Sequence, residues 1–149
     1  MAITEVNLSL EDGLVCQIFT KSHIVAADDP ADPDVEEEGP NPLEYLLAAL
    51  ASSAAMAVKE EALRRALTLE EVQVSVKWRT SHRALLEPGE QLPPTALQRE
   101  MRVRVTRDIT EAERDALLAA AKASPVDRAL AGGTRVEDAL FVFGYASEE

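Results

Sequence analysis

The chain has 149 residues, 46% hydrophobic and 28% charged, which is one domain's length and enough to bury a core without disulfides or a structural metal. Its net charge of −12 would repel phosphate backbones, which argues against a nucleic-acid partner. No uncharged apolar run reaches the roughly 18 residues a membrane span needs. The single cysteine, Cys16, cannot form an intramolecular disulfide, and the N-terminus shows no basic stretch followed by an apolar core; both point to the cytoplasm.

Residues 1–27 read as strands. Val6, Leu8 and Leu10 alternate with polar neighbours, Glu11-Asp12-Gly13 makes a turn, Leu14, Cys16 and Ile18 resume the alternation, and a third short strand falls near 22–27. Residues 1–46 hold eleven acids against one base, Lys21. Most of those acids lie in 28–38, a stretch with little to bury that reads as a loop within the acidic segment 28–41.

Residues 42–67 are expected to form a long helix of about 39 Å. Pro42 suits its first turn, and Glu44 lies where the helix dipole favours an anion. From Tyr45 to Val58 no face carries a charge, so this stretch should be buried all round, and a second copy packing helix against helix is the natural cover. Residues 71–149 should contain strands and two helices. Val72, Val74, Val76 and Trp78 alternate with Gln73, Ser75, Lys77 and Arg79, and Met101, Val103 and Val105 alternate with Arg102, Arg104 and Thr106. Residues 84–98 between them form a long loop that could act as a lid. A helix begins at Thr110 with a Thr-x-x-Glu capping box and runs to about Ala123. Ser124-Pro125-x-Asp127 opens a short helix that stops at Gly132-Gly133, and 135–145 closes the chain as a strand. There is no internal repeat and no second domain in 1–149.

Four features stand in order: Asp29-Pro30 before the acidic loop, Gly39-Pro40-Asn41-Pro42 opening the apolar helix, the strand after Leu69, and Ser124-Pro125-Val126-x-Arg128-x-Leu130. Together they resemble the OsmC and organic hydroperoxide resistance family. The resemblance implies an α+β fold in which long central helices pack in a homodimer and curved, mainly antiparallel sheets wrap them. It also implies a pair of cysteines that reduce hydroperoxides through a sulfenic acid, the first activated by an arginine and a glutamate. Here the positions of the two cysteines hold Ser53 and Ser124, Leu43 stands where the glutamate is usual, and no arginine precedes Arg64. Glu44, the nearby acid, is nine residues before Ser53 and about 180° round the helix from it.

Each candidate also has a plain structural role. Ser53 reads as a small residue in a tight helix contact, with neither His23 nor His82 on its helix to serve as a base. Ser124 reads as an N-cap. Cys16 reads as a buried strand residue, and 28–38 as a solvated, mobile loop without the ligand spacing of a calcium site. Lys77, Arg79, Arg102 and Arg104 read as the wet face of a sheet. The expectation is therefore a divergent homodimer without thiol peroxidase chemistry, with no metal and no cofactor. A small apolar molecule would bind at the dimer-interface pocket beside Leu46, Leu50, Ser53, Met56 and Ser124. The alternative is a hydroperoxide reductase seen in a Cys→Ser form; a hydrolase using Ser53 lacks a visible base.

Overall fold

The computed structural model describes residues 4–10, 15–30, 32, 34–78 and 97–141. Strands β1 (Asn7–Ser9), β2 (Cys16–Phe19) and β3 (Ile24–Ala27) form an antiparallel meander, with Leu8 opposite Ile18 and Ile18 opposite Val25. Helix α1 (Pro42–Arg64) follows, then the antiparallel pair β4 (Leu69–Lys77) and β5 (Gln98–Val105), then α2 (Glu111–Lys122) and α3 (Pro125–Ala131). This is the expected α+β layout. The turn expected at 11–13 and nearly all of the 84–98 loop lie outside the described residues.

A tight clamp delivers the chain from β3 into α1. Asp28, buried at 5% exposure, accepts the Glu38 amide at 3.1 Å through Oδ2, and its own amide donates to the Pro40 carbonyl at 3.3 Å. Tyr45 Oη donates to the Ala26 carbonyl at 2.5 Å. A Cβ on Gly39 would lie 2.3 Å from that same carbonyl oxygen, so only glycine allows the approach. One acid of the acidic stretch is thus a buried staple. Asn41 then caps α1, accepting from the Glu44 amide at 3.0 Å, while Glu44 accepts from the Asn41 amide at 2.9 Å.

Helix α1 ends at Arg64, three residues before the expected end. Ala66 sits at φ 55°, its amide donates to Leu63 O at 3.1 Å, and the Leu67 amide donates to Ala62 O at 2.8 Å. This is a Schellman turn with alanine in the left-handed position where glycine is usual. It drives Leu67 back into the core beside Ala62. Within the single chain α1 is buried on one side. Leu50, Ala54, Val58 and Ala62 form a single buried stripe, packed on β4, α2 and α3. The opposite face is open: Met56 and Leu63 are 66% and 67% exposed. Among the described residues nothing covers that second face, which is the face the sequence assigns to a second copy.

The core joins Ala54, Val58 and Ala62 of that stripe to Leu67, Leu69, Leu117 and Ala121, with Val72, Met101, Val103, Val105 and Ile109 packed against it. Thr110 and Glu113 make the expected capping box. Arg107 reaches Glu113 at 2.8 Å, and its hydrogen bonds, with that of the Thr110 amide, pull the Glu113 carboxyl down to about 2. The strand expected at 135–145 is not formed over 135–141. Those residues find no strand edge among the described residues, and Val136, Leu140 and Phe141 stay at 75–89% exposure; the remainder lies outside the described residues.

Candidate functional site

The short helix α3 explains both serines. A helix's first amides have no partner within the helix. At the start of α3, Pro125 has no N–H to satisfy. The next amide, of Val126, donates to Ser53 Oγ on α1 at 3.3 Å. The one after, of Asp127, donates to Ser124 Oγ at the N-cap, also at 3.3 Å. Two side chains 71 positions apart in the chain therefore cap one helix between them. Ser53 is half-buried and Ser124 is fully buried.

An ion pair closes the arrangement. Ser124 Oγ donates to Asp127 Oδ2 at 2.5 Å, and Arg99 Nη1 donates to the same oxygen at 2.8 Å. Arg99 Nη2 reaches the Ala121 carbonyl at 3.3 Å, at the end of α2. Arg99 faces inward because it keeps the alternation of Met101, Val103 and Val105, opposite Val76 of β4. Burial pushes the Asp127 carboxyl up, but the hydrogen bonds from Arg99 and Ser124 outweigh it and hold it below its ordinary value. Sequence reasoning missed this pair. The available signal was phase: Arg99 stands two residues before Met101, on the apolar side of β5, whereas Arg102 and Arg104 stand on the other.

Around the serines, Leu50 is buried, Leu46 is 37% exposed and Met56 is open. At spacings of three and four they share a helix face with Ser53. Glu44 is committed to its own helix cap. Trp78, just past the end of β4, carries a buried indole N–H with no hydrogen-bond partner among the described residues. Elsewhere, Cys16 pairs in register with Ala27 and is half-buried. Arg102 and Arg104 lie on the wet face of the β4–β5 sheet with Lys77, paired with Glu100 and Glu71 at 2.6 Å each; Arg79 and His82 lie outside the described residues. Among the described residues no cluster of three or more His, Cys, Asp or Glu could hold a metal ion, and no helix is long and apolar enough to cross a membrane.

Comparison with known proteins gives a consistent result. The family model described as OsmC-like protein matches residues 35–137. Among solved structures, an OsmC-like protein from Mycoplasma pneumoniae superposes with a TM-score of 0.70 at 14% identity, covering 89% of this chain and 90% of that one. A protein from Psychrobacter arcticus described for osmotic stress induction and detoxification response gives 0.62 at 13%, covering 87% and 89%. An organic hydroperoxide resistance protein, OsmC, from Legionella pneumophila gives 0.52 at 18%, covering 89% and 91%. At these identities the solved structures speak for the fold alone. Among curated protein sequences nothing matches.

Proposed function

The chain belongs to the OsmC-like family, and from that premise we propose that it is a homodimeric member without thiol peroxidase chemistry, holding a small apolar molecule beside Ser53 and Ser124. One observation carries this reading: both hydroxyls at the family's cysteine positions serve as caps for the first free amides of α3. A hydroxyl has no sulfenate state, so the peroxide-reducing cycle has no redox atom at this place. Serine chemistry is disfavoured as well. The acid that Ser124 touches is Asp127, which Arg99 holds below the usual carboxylate range, and such a group is a poor base at neutral pH.

Support for a ligand comes from the surroundings. Leu46, Leu50 and Met56 flank Ser53 on α1, which gives a ligand an apolar wall. Support for a dimer comes from the open face of α1, where Met56 and Leu63 form an apolar strip of the kind that marks interaction surfaces. A monomer mass in solution scattering at micromolar concentration would sink the dimer.

A second reading, the hydroperoxide reductase seen in a Cys→Ser form, is favoured by Arg99. A cysteine at position 124 would stand at a helix N-terminus, which lowers a thiol pKa, with Arg99 neutralising the Asp127 carboxylate that would otherwise oppose the thiolate. Dithiol-dependent consumption of an organic hydroperoxide separates the two readings. The expected result is no turnover by the natural chain and none by the S53C/S124C double variant. Turnover by the double variant alone would restore the peroxidase reading.

A further inference from the structure

We propose that the cleft between α2 and β5 is a separate binding site for a medium-chain carboxylate, with Arg114 as the head-group anchor. The cleft encloses about 350 Å³, within the range of small-molecule sites. Its floor reaches the core at Val58 and Leu117, and Met101, Val103, Ile109 and Leu118 make its apolar walls. This is not the ground around Ser53. At five residues' separation Val58 is about 140° round α1 from Ser53, and of the residues around the two serines only Arg99 also borders this cleft.

Three charged side chains border the cleft: Arg99, Glu100 and Arg114. Arg99 is neutralised by Asp127 at 2.8 Å. Glu100 belongs to the opposite face of β5 by alternation, where it pairs with Arg102 at 2.6 Å. Arg114 is different. No ion pair links it to a carboxylate among the described residues, and it is exposed. On α2 it precedes Leu117 and Leu118 by three and four residues, so all three stand over the same groove. An apolar slot with a guanidinium at its mouth that no described carboxylate pairs matches a ligand with an alkyl body and one planar anionic head. A carboxylate fits that fork with two parallel hydrogen bonds. The chain's overall negative charge would not attract an anion, so recognition must be local to this arginine.

The test uses the full chain and octanoate as titrant, followed through isoleucine δ1 methyl resonances. Ile109 lines the cleft, whereas Ile18 and Ile24 lie in the N-terminal sheet. The expected result is a saturable shift at Ile109 with Ile18 and Ile24 unmoved. Binding should weaken on the order of tenfold in R114Q, and by a similar factor when octanol replaces octanoate, because a charge-assisted hydrogen bond is lost. R102Q, on the far face of the sheet, should bind as the natural chain does. The proposal is overturned if Ile109 does not saturate, if R114Q binds octanoate as tightly as the natural chain, or if R102Q weakens it equally. The site is independent of the reading given for Ser53 and Ser124, since octanoate binding here neither requires nor excludes a ligand there.

Discussion

The two sheets of this molecule carry the same alternation and meet different fates. In β4–β5 the inward residues rest on α1 and α2, and Leu69 is 2% exposed. In β1–β3 Ala27 is buried, but Leu8 and Ile24 remain 56% and 71% exposed. Alternation reports that a strand has an apolar face; it does not report what covers that face. Among the described residues the C-terminal half finds its cover, and the N-terminal sheet does not.

The largest expected effect tests this contrast directly. Leu69→Ala should cost about 3 kcal/mol in urea unfolding, because a buried side chain leaves a cavity. Leu8→Ala should change stability by less than about 0.5 kcal/mol at dilution, as an open surface site does. If Leu8→Ala proves equally costly, and costlier as protein concentration rises, the N-terminal sheet is covered by a second copy. A cost independent of concentration would instead place its cover within the chain.

Next in size is the ion pair that joins β5 to α3. Asp127→Asn should cost about 1.5–3 kcal/mol, since a charge-assisted hydrogen bond goes and Arg99 is left half-buried without its partner. The effect should depend on pH. Asp127 titrates below its ordinary 3.8 in the folded chain, so as pH falls the unfolded chain takes up the proton first and the contribution is lost. It is complete well above 3.8 and fades as pH drops through the folded value. The gap between the natural chain and Asp127→Asn should therefore narrow below pH 3.8, which paired unfolding curves would read.

About 1 kcal/mol should separate the natural chain from Ser124→Ala, the usual loss for an N-cap. Ser53→Ala should cost a similar amount by a different route, as it strands the Val126 amide at the α1–α3 contact. If the two act through one shared helix terminus, their combined effect should depart from additivity. An additive double variant measured by chemical denaturation would mean that α3 does not respond to its two caps as a unit.

These serines also show how much of the molecule was legible in advance. The alternation of β4 and β5, the capping box at Thr110 and the cap at Ser124 follow from local spacing, which a sequence displays; the family and its fold came with the resemblance carried by four motifs in order. The Arg99–Asp127 pair joins residues 28 apart, so only the parity of Arg99 hinted at it. Ser53 was readable as a tight contact, but the amide it caps belongs to a helix far along the chain. The single chain buries one stripe of α1; the cover expected for its other face is a second copy, which local spacing cannot display.

The same limit applies at the end of α1, where the smallest predicted effect lies. Nothing in Leu63-Arg64-Arg65-Ala66-Leu67 signals a stop, since none is glycine or proline. Yet Ala66 adopts φ 55°, a conformation that costs a residue with a Cβ about 1–2 kcal/mol. It is held there because Leu67 gains burial in the core at 3% exposure. Ala66→Gly removes the steric cost but adds unfolded-chain entropy, which offsets part of it. The net gain should be about 0.5 kcal/mol, seen as a raised urea midpoint with unchanged slope. A loss instead would mean that the turn at Ala66 is not strained, and that Leu67 burial alone does not set where this helix ends.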